Sequence, residues 1–206
     1  MSSSLSSLGA GRTKCNARLA LLFALVGLSL SIYVLIVCDF YEVTYDSTIS
    51  GTTTGGRVTE RPGLFNCKLY NTGIQGTYVG PRDGVDIFAT LCGFLAPIIA
   101  LPATVVLYSS HWKFPQWCCC CCGGGDKFRI KNIALSSCLF MGATFVQPFT
   151  ILVLESKACQ ESHNGECRLL LNAWLSVGAA ISYFLASCFN REMMMVSPAA
   201  TTSSGK

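Results

Sequence analysis

The sequence predicts an all-α membrane protein, a four-transmembrane-helix bundle with a small antiparallel β-sheet in its first extracellular loop. Three observations predict it. Only 13% of the 206 residues are charged and 51% are apolar, whereas about one quarter of an average soluble domain is charged. Four long windows contain no Asp, Glu, Lys, Arg or His, and each reaches the roughly 20 apolar residues needed to cross a hydrocarbon core. The segment joining the first two windows is polar and has strand-forming composition. A soluble fold would distribute polar side chains along every amphipathic element, which these windows do not.

In chain order, residues 1–18 form a Ser-rich tail and residues 19–38, LALLFALVGLSLSIYVLIVC, the first span. A signal-peptide core is only about 7–15 residues long, so this window reads as a retained span. Residues 39–86 form a long outer loop, 87–108 the second span and 109–132 a Cys-rich loop. Residues 133–154 form the third span, 155–168 a short outer loop, 169–189 the fourth span and 190–206 a tail. Residues 1–14 and 193–206 are Ser-, Thr-, Ala- and Met-rich and are expected to be mobile tails.

Lys and Arg in short loops set orientation. Arg12, Lys14, Arg18, Lys113, Lys127, Arg129, Lys131, Arg191 and Lys206 lie on one side. Arg57, Arg61, Lys68, Arg82, Lys157 and Arg168 lie on the other. The cluster beside the first span places both termini in the cytoplasm, in either the plasma membrane or an endomembrane.

Helices in lipid pack through small residues that let backbones approach. Such pairs occur in every span: Ala20/Ala24, Gly27/Ser31, Ala89/Gly93, Ala96/Ala100, Cys138/Gly142 and Gly178/Ser182. Pro97, Pro102 and Pro148 each remove a backbone donor and are expected to bend their helices. Gln147 and Asn172 are the most polar side chains at depth. They are expected to hydrogen-bond between helices, the alternative being the lining of a solute path. With no ionisable group inside the spans, proton-coupled pumping and voltage sensing are disfavoured. With His111 and His163 both in loops, haem and intramembrane zinc are disfavoured too.

The 13 cysteines divide by compartment. Cys118, Cys119, Cys120, Cys121 and Cys122 form a juxtamembrane run, flanked by Trp112 and Trp117, that suits S-palmitoylation and lacks tetrahedral metal spacing. Cys15, just before the first span, is a further acylation candidate. Cys159 and Cys167 enclose a short polar loop and are disulfide candidates, with Cys67 and Cys38 available for other pairings. Cys92, Cys138 and Cys188 read as small packing residues within spans.

In the long loop, Phe40 to Tyr45 reads as a strand, STISGTTTGG as a flexible connection, and GLFNCKLYNTGIQGTYVG as short apolar groups between turns. Gly63-Leu64-Phe65-Asn66-Cys67, followed by Lys68-Leu69-Tyr70 and by Arg82 near the second span, resembles the G-L-W-x-x-C motif and its surroundings in the claudin / peripheral-myelin-protein superfamily. Phe65 stands in place of the tryptophan, with one spacer fewer. The resemblance implies a sheet over the bundle, with Gly63, Leu64, Phe65, Cys67 and Arg82 as family-motif residues, and a role in adhesion, barrier formation or as an auxiliary channel subunit.

The expected function is therefore non-enzymatic contact with other membrane proteins, or with further copies of this chain, through the outer loops and bundle. An oligomeric channel or transporter without intramembrane charge is the alternative. No catalytic residue, cofactor, metal or nucleic-acid partner is expected; the lipid bilayer is.

Overall fold

The computed structural model describes residues 3–37, 39–47, 56–64, 67–70, 75–77, 83–111, 126–155, 159 and 167–196. The elements in order are α1 (Ser3–Ile36), β1 (Tyr41–Ser47), β2 (Gly56–Pro62), β3 (Cys67–Tyr70), β4 (Gln75–Thr77), α2 (Gly84–His111), α3 (Asp126–Val146), a 3₁₀ segment (Gln147–Glu155), β5 (Cys167–Leu169) and α4 (Leu171–Val196). Four helical stretches are long and apolar enough to cross a membrane: Cys15–Ile36, Gly84–Ser110, Ile130–Glu155 and Leu171–Glu192. The chain is a multi-pass membrane protein. Helix α1 starts at Ser3 and α4 runs to Val196, so both extend into stretches read from sequence as tails.

The spans are apolar outside and small inside. Leu22, Ile98, Phe145 and Trp174 are more than half exposed, as lipid-facing side chains should be. The buried positions recur at alternating steps of three and four. On α1 they are Ala17, Ala20, Ala24, Gly27, Ser31 and Val34, and on α2 Asp86, Ala89, Gly93, Ala96, Ala100, Ala103 and Leu107. Helix α3 contributes Ile133, Ser136, Phe140 and Ala143, and α4 contributes Ser176, Ala179, Tyr183, Ala186 and Asn190. This is the seam of a left-handed helical bundle, in which alanine is the commonest residue. Helix α1 packs most extensively on α4, α2 on α3, and α3 on α4; α1 also meets α2, closing the ring.

Of the small-residue pairs, Ala20/Ala24, Gly27/Ser31, Ala89/Gly93 and Ala96/Ala100 lie on the seam. Cys138 is exposed and Gly142 only half-buried, so that pair faces outward. Cys188 is exposed as well. The reading of Cys138 and Cys188 as packing residues is therefore corrected: the buried residues next to them, Ser137 and Ser187, face the α3–α4 contact and bond to each other. Of the three span cysteines only Cys92 is buried.

The third span changes helix type at its middle. Pro148 has no N–H, and its ring would press on the carbonyl four residues back. From Gln147 to Glu155 the chain is 3₁₀, a form in which residues three apart eclipse. The buried residues there are Gln147, Thr150 and Val153, at steps of three only. The burial period thus follows the helix type, and the seam stays inward. At about 2.0 Å per residue, against about 1.5 Å in an α-helix, the segment also reaches further toward the sheet. Helix α2, by contrast, continues as an α-helix through Pro97 and Pro102.

Helix α2 starts at Gly84 because Asp83 caps it: the Asp83 Oδ1 accepts the Asp86 N–H at 2.8 Å. Above this end of the bundle lies one antiparallel sheet, ordered β4-β3-β2-β1-β5. Its register pairs Val43 with Glu60, Arg61 with Leu69, and Leu69 with Gln75. The sheet is not confined to the first loop, as the sequence suggested. The second loop adds β5, pairing Tyr41 with Leu169 and Val43 with Cys167. A strand of three residues has too little pattern to announce itself, and it forms because both loops emerge at the same bundle end. Strand β2 occupies GRVTERP, a stretch between the motifs to which the sequence reading assigned no element.

The sheet docks through a second apolar cluster of Val34, Phe40, Tyr41, Leu64, Ala89, Val153, Cys159 and Ala173. Leu64 is its anchor. A Cβ on Gly93 would lie 2.5 Å from Leu64 Cδ2, so Leu64 occupies the space that the glycine leaves. Thr90 Oγ1 shares its proton between the Leu64 carbonyl at 2.9 Å and the Asp86 carbonyl of its own helix at 2.8 Å, which holds the Leu64 backbone against α2. Truncating a well-packed leucine costs about 2–5 kcal/mol. Leu64→Ala is expected to destabilise the protein by about that amount, and Gly93→Leu comparably by overfilling the same space. Thermal unfolding in detergent checks both; an unchanged midpoint for Gly93→Leu would show that Leu64 does not seat against α2.

Candidate functional site

The most concentrated polar chemistry lies inside the bundle. Ser31 Oγ donates to Gln147 Oε1 at 3.1 Å. The Ser31 proton is thereby used, so the 2.9 Å contact between Ser31 Oγ and Tyr183 Oη has the phenol as donor. Gln147 Nε2 donates to Ser176 Oγ at 2.8 Å. Thr150 Oγ1 lies 2.7 Å from Ser176 Oγ and donates to the Gln147 carbonyl at 2.9 Å. Ser31, Gln147, Thr150, Ser176 and Tyr183 are all fully buried. The network joins α1 to the third span across the bundle axis and both to α4.

Its geometry depends on Gly27. A Cβ there would sit 2.8 Å from two carbons of the Tyr183 ring and 3.2 Å from the Ala179 carbonyl. The ring lies flat on α1 one turn below Ser31, which brings the phenol to its acceptor. Phe140 backs the same ring, with centroids 6.3 Å apart. The bonding partners are an amide, a phenol, hydroxyls and a carbonyl. None is a general base that would activate a serine, so the arrangement acts as a set of interhelical ties. Gln147 is used in this way, and so is Asn172. The Asn172 amide donates to the Asp39 carbonyl at 3.1 Å and to the Asp39 carboxylate, tying α4 to the chain leaving α1.

A second polar seam joins α3 to α4 and to α2 at the opposite end. Ser137 and Ser187 hydroxyls lie 2.8 Å apart, Ser136 donates to the Ala103 carbonyl at 3.1 Å, and Asn190 Nδ2 donates to the Ile133 carbonyl at 3.0 Å. Asn190 Oδ1 is buried without a partner among the described residues. Asn16 Nδ2 donates to Glu192 at 2.8 Å, adding α1 to the same end.

At the sheet, Arg61 Nε bonds to Glu42 Oε2 at 2.8 Å, and the register sets Arg168 opposite Glu42 on the other side. One carboxylate thus stands between two guanidinium-bearing strands. Cys159 and Cys167 form a disulfide, with Cα atoms 5.3 Å apart, that holds the start of β5 onto the buried cluster. Of the motif residues, Gly63 and Leu64 are buried at the junction of sheet and bundle, and Cys67 opens β3 opposite Thr77. Phe65, Arg82, Cys38 and the run Cys118–Cys122 lie outside the described residues. Among those described, no group of His, Cys, Asp or Glu has the makings of a metal site.

Sequence reasoning named Gln147 and Asn172 but missed Thr150, Ser176 and Tyr183. All three lie on the inner stripe at spacings of three and four, but the similarly spaced pair Cys138/Gly142 faces outward, so spacing alone did not single them out.

No family model matches the chain, and no curated protein matches it. The helices and their polar core therefore define the class, a four-span membrane bundle with a sheet cap, on physical grounds alone.

Interhelical hydrogen bonds in membranes average about 0.6 kcal/mol and reach about 2. A double-mutant cycle of Gln147→Leu with Ser176→Ala is expected to show coupling of about 0.5–2 kcal/mol; additive effects would remove the network as a unit. Opening the disulfide with Cys159→Ser is expected to cost about 2–3 kcal/mol by releasing a short loop. It should also raise amide hydrogen exchange in β1 where β5 pairs with it, read by mass spectrometry.

Proposed function

We propose that this membrane protein acts through protein–protein contacts made by its sheet cap and bundle, as a claudin-like adhesion or barrier component or an auxiliary membrane subunit. In this reading both termini are cytoplasmic and the sheet faces the exterior or a lumen. The observation that carries it is the attachment of the sheet. Five strands drawn from two loops are held to the bundle by Leu64 in the space above Gly93, by the Thr90 hydroxyl and by the Cys159–Cys167 bridge. Such a surface keeps its shape, and a preorganised surface loses less entropy on binding a partner. The interior supports the same reading: Ser31, Gln147, Thr150, Ser176 and Tyr183 are engaged with one another, and alanine is the commonest residue of the inner stripe.

The test uses two differently tagged copies of the full chain, expressed either in one cell or in two contacting cell populations. Co-purification in mild detergent is expected for at least one arrangement. It should fall about tenfold or more for Leu64→Ala combined with Cys159→Ser, as for loss of a central anchor, while membrane insertion persists. Undiminished association of the double variant would overturn the sheet as the contact surface. Ion flux through purified protein in liposomes would overturn the non-conducting reading.

A further inference from the structure

The face of the sheet turned away from the bundle carries a charge arrangement that the buried contacts do not use. Successive strand residues point to opposite faces. Tyr41 is buried against the bundle, so Glu42 stands on the far face. Arg61 Nε donates to Glu42 Oε2 there at 2.8 Å. Arg168 is directly opposite Glu42 in the β1–β5 register, where paired side chains share a face and lie close. Both arginines are exposed. The Arg168 side chain makes no hydrogen bond or ion pair among the described residues. Its backbone is held all the same. Cys167 before it is bridged to the buried Cys159, and Leu169 after it packs on the apolar cluster. One carboxylate thus lies between two arginines, one of them engaged and the other anchored but unused.

We propose that Arg168, with the Arg61–Glu42 pair beside it, binds a single acidic side chain on a loop of a partner membrane protein. This rests on the sheet cap being a contact surface, and it names the chemistry of what is contacted. Two guanidinium groups and one carboxylate leave one positive charge, which one further carboxylate neutralises. The guanidinium fork matches the two oxygens of a carboxylate, and Glu42 already engages the neighbouring arginine in that way. The surroundings decide between an acidic side chain and a polyanion. Residues 39–86 and 155–168, the loops at this end, carry more Asp and Glu than Lys and Arg. An extended polyanion would meet that excess on leaving the arginines, whereas a lone carboxylate on a neutral loop would not. Like charges brought together at an interface select against the wrong partner in this way.

The experiment holds the full chain in phosphatidylcholine nanodiscs and measures its retention on beads. The beads bear a Gly-Ser peptide with one glutamate, its glutamine counterpart, or heparin. Wild type is expected to be retained about threefold more on glutamate than on glutamine beads, the size of one exposed arginine–carboxylate pair. Arg168→Gln should abolish the difference, and Arg168→Lys should keep part of it. Arg61→Gln should lower it as well, because Glu42 is then left to Arg168. Glu42→Gln should raise it by freeing Arg61, an increase that loss of folding would not give. Equal retention of wild type on the two peptides, a preference for heparin, or a fall with Glu42→Gln would overturn the proposal. Each of those results would leave the sheet cap standing as a contact surface, since that reading depends on Leu64 and Cys159 and is measured by association of tagged copies.

Discussion

Close approach of backbones is the constraint on which the rest of this structure depends. In lipid the hydrophobic effect gives no advantage to one helix packing on another, so association rests on dispersion contacts and hydrogen bonds between nearby surfaces. The inner stripe meets that requirement with alanine as its commonest residue and glycine at Gly27 and Gly93. Neither glycine is there for backbone freedom. Each removes a Cβ where another side chain must lie flat, the Tyr183 ring in one case and Leu64 Cδ2 in the other. Many large apolar residues, among them Leu22, Ile98, Phe145 and Trp174, are on the outside, whereas Leu107, Phe140 and Tyr183 are the large side chains that fill the interior.

An alanine seam is smooth, and a smooth seam specifies register poorly. The polar network supplies what alanine lacks. Each hydroxyl or amide has directional needs, and in a bundle interior an unmet one costs more than a methyl group gains. Ser31, Gln147, Ser176 and Tyr183 can be satisfied together only at one height of α1, the third span and α4. The 3₁₀ segment belongs to the same solution. Pro148 breaks the α-helical ladder, and the tighter helix that follows keeps Gln147, Thr150 and Val153 on one line facing inward. A continued α-helix would have rotated Val153 off that line.

The sheet depends on the bundle in turn. Its strands are short, and a small isolated sheet is marginal in water. What holds it is the apolar cluster under β1 together with Leu64, and the disulfide that adds the second loop to the first. The two ends of the molecule thus differ in kind: one carries a pinned sheet with a carboxylate between arginine-bearing strands, the other carries exposed cations at the helix ends.

By itself the amino-acid sequence determined the solvent, the number of spans and the presence of strand-forming chain between the first two, because these follow from the length and charge of contiguous segments. It also displayed the small-residue pairs, although pairs alone did not separate the inward Ala20/Ala24 from the outward Cys138/Gly142. Tertiary structure decided which face of each helix turns inward, since that depends on the neighbouring helix and not on local composition. It decided that Gln147 reaches Ser31 across 116 positions of chain, and that three residues of the second loop complete a sheet begun in the first. Such contacts have no local signature: a hydroxyl or a short strand has the same appearance in sequence whether its partner is water, lipid or a segment far along the chain.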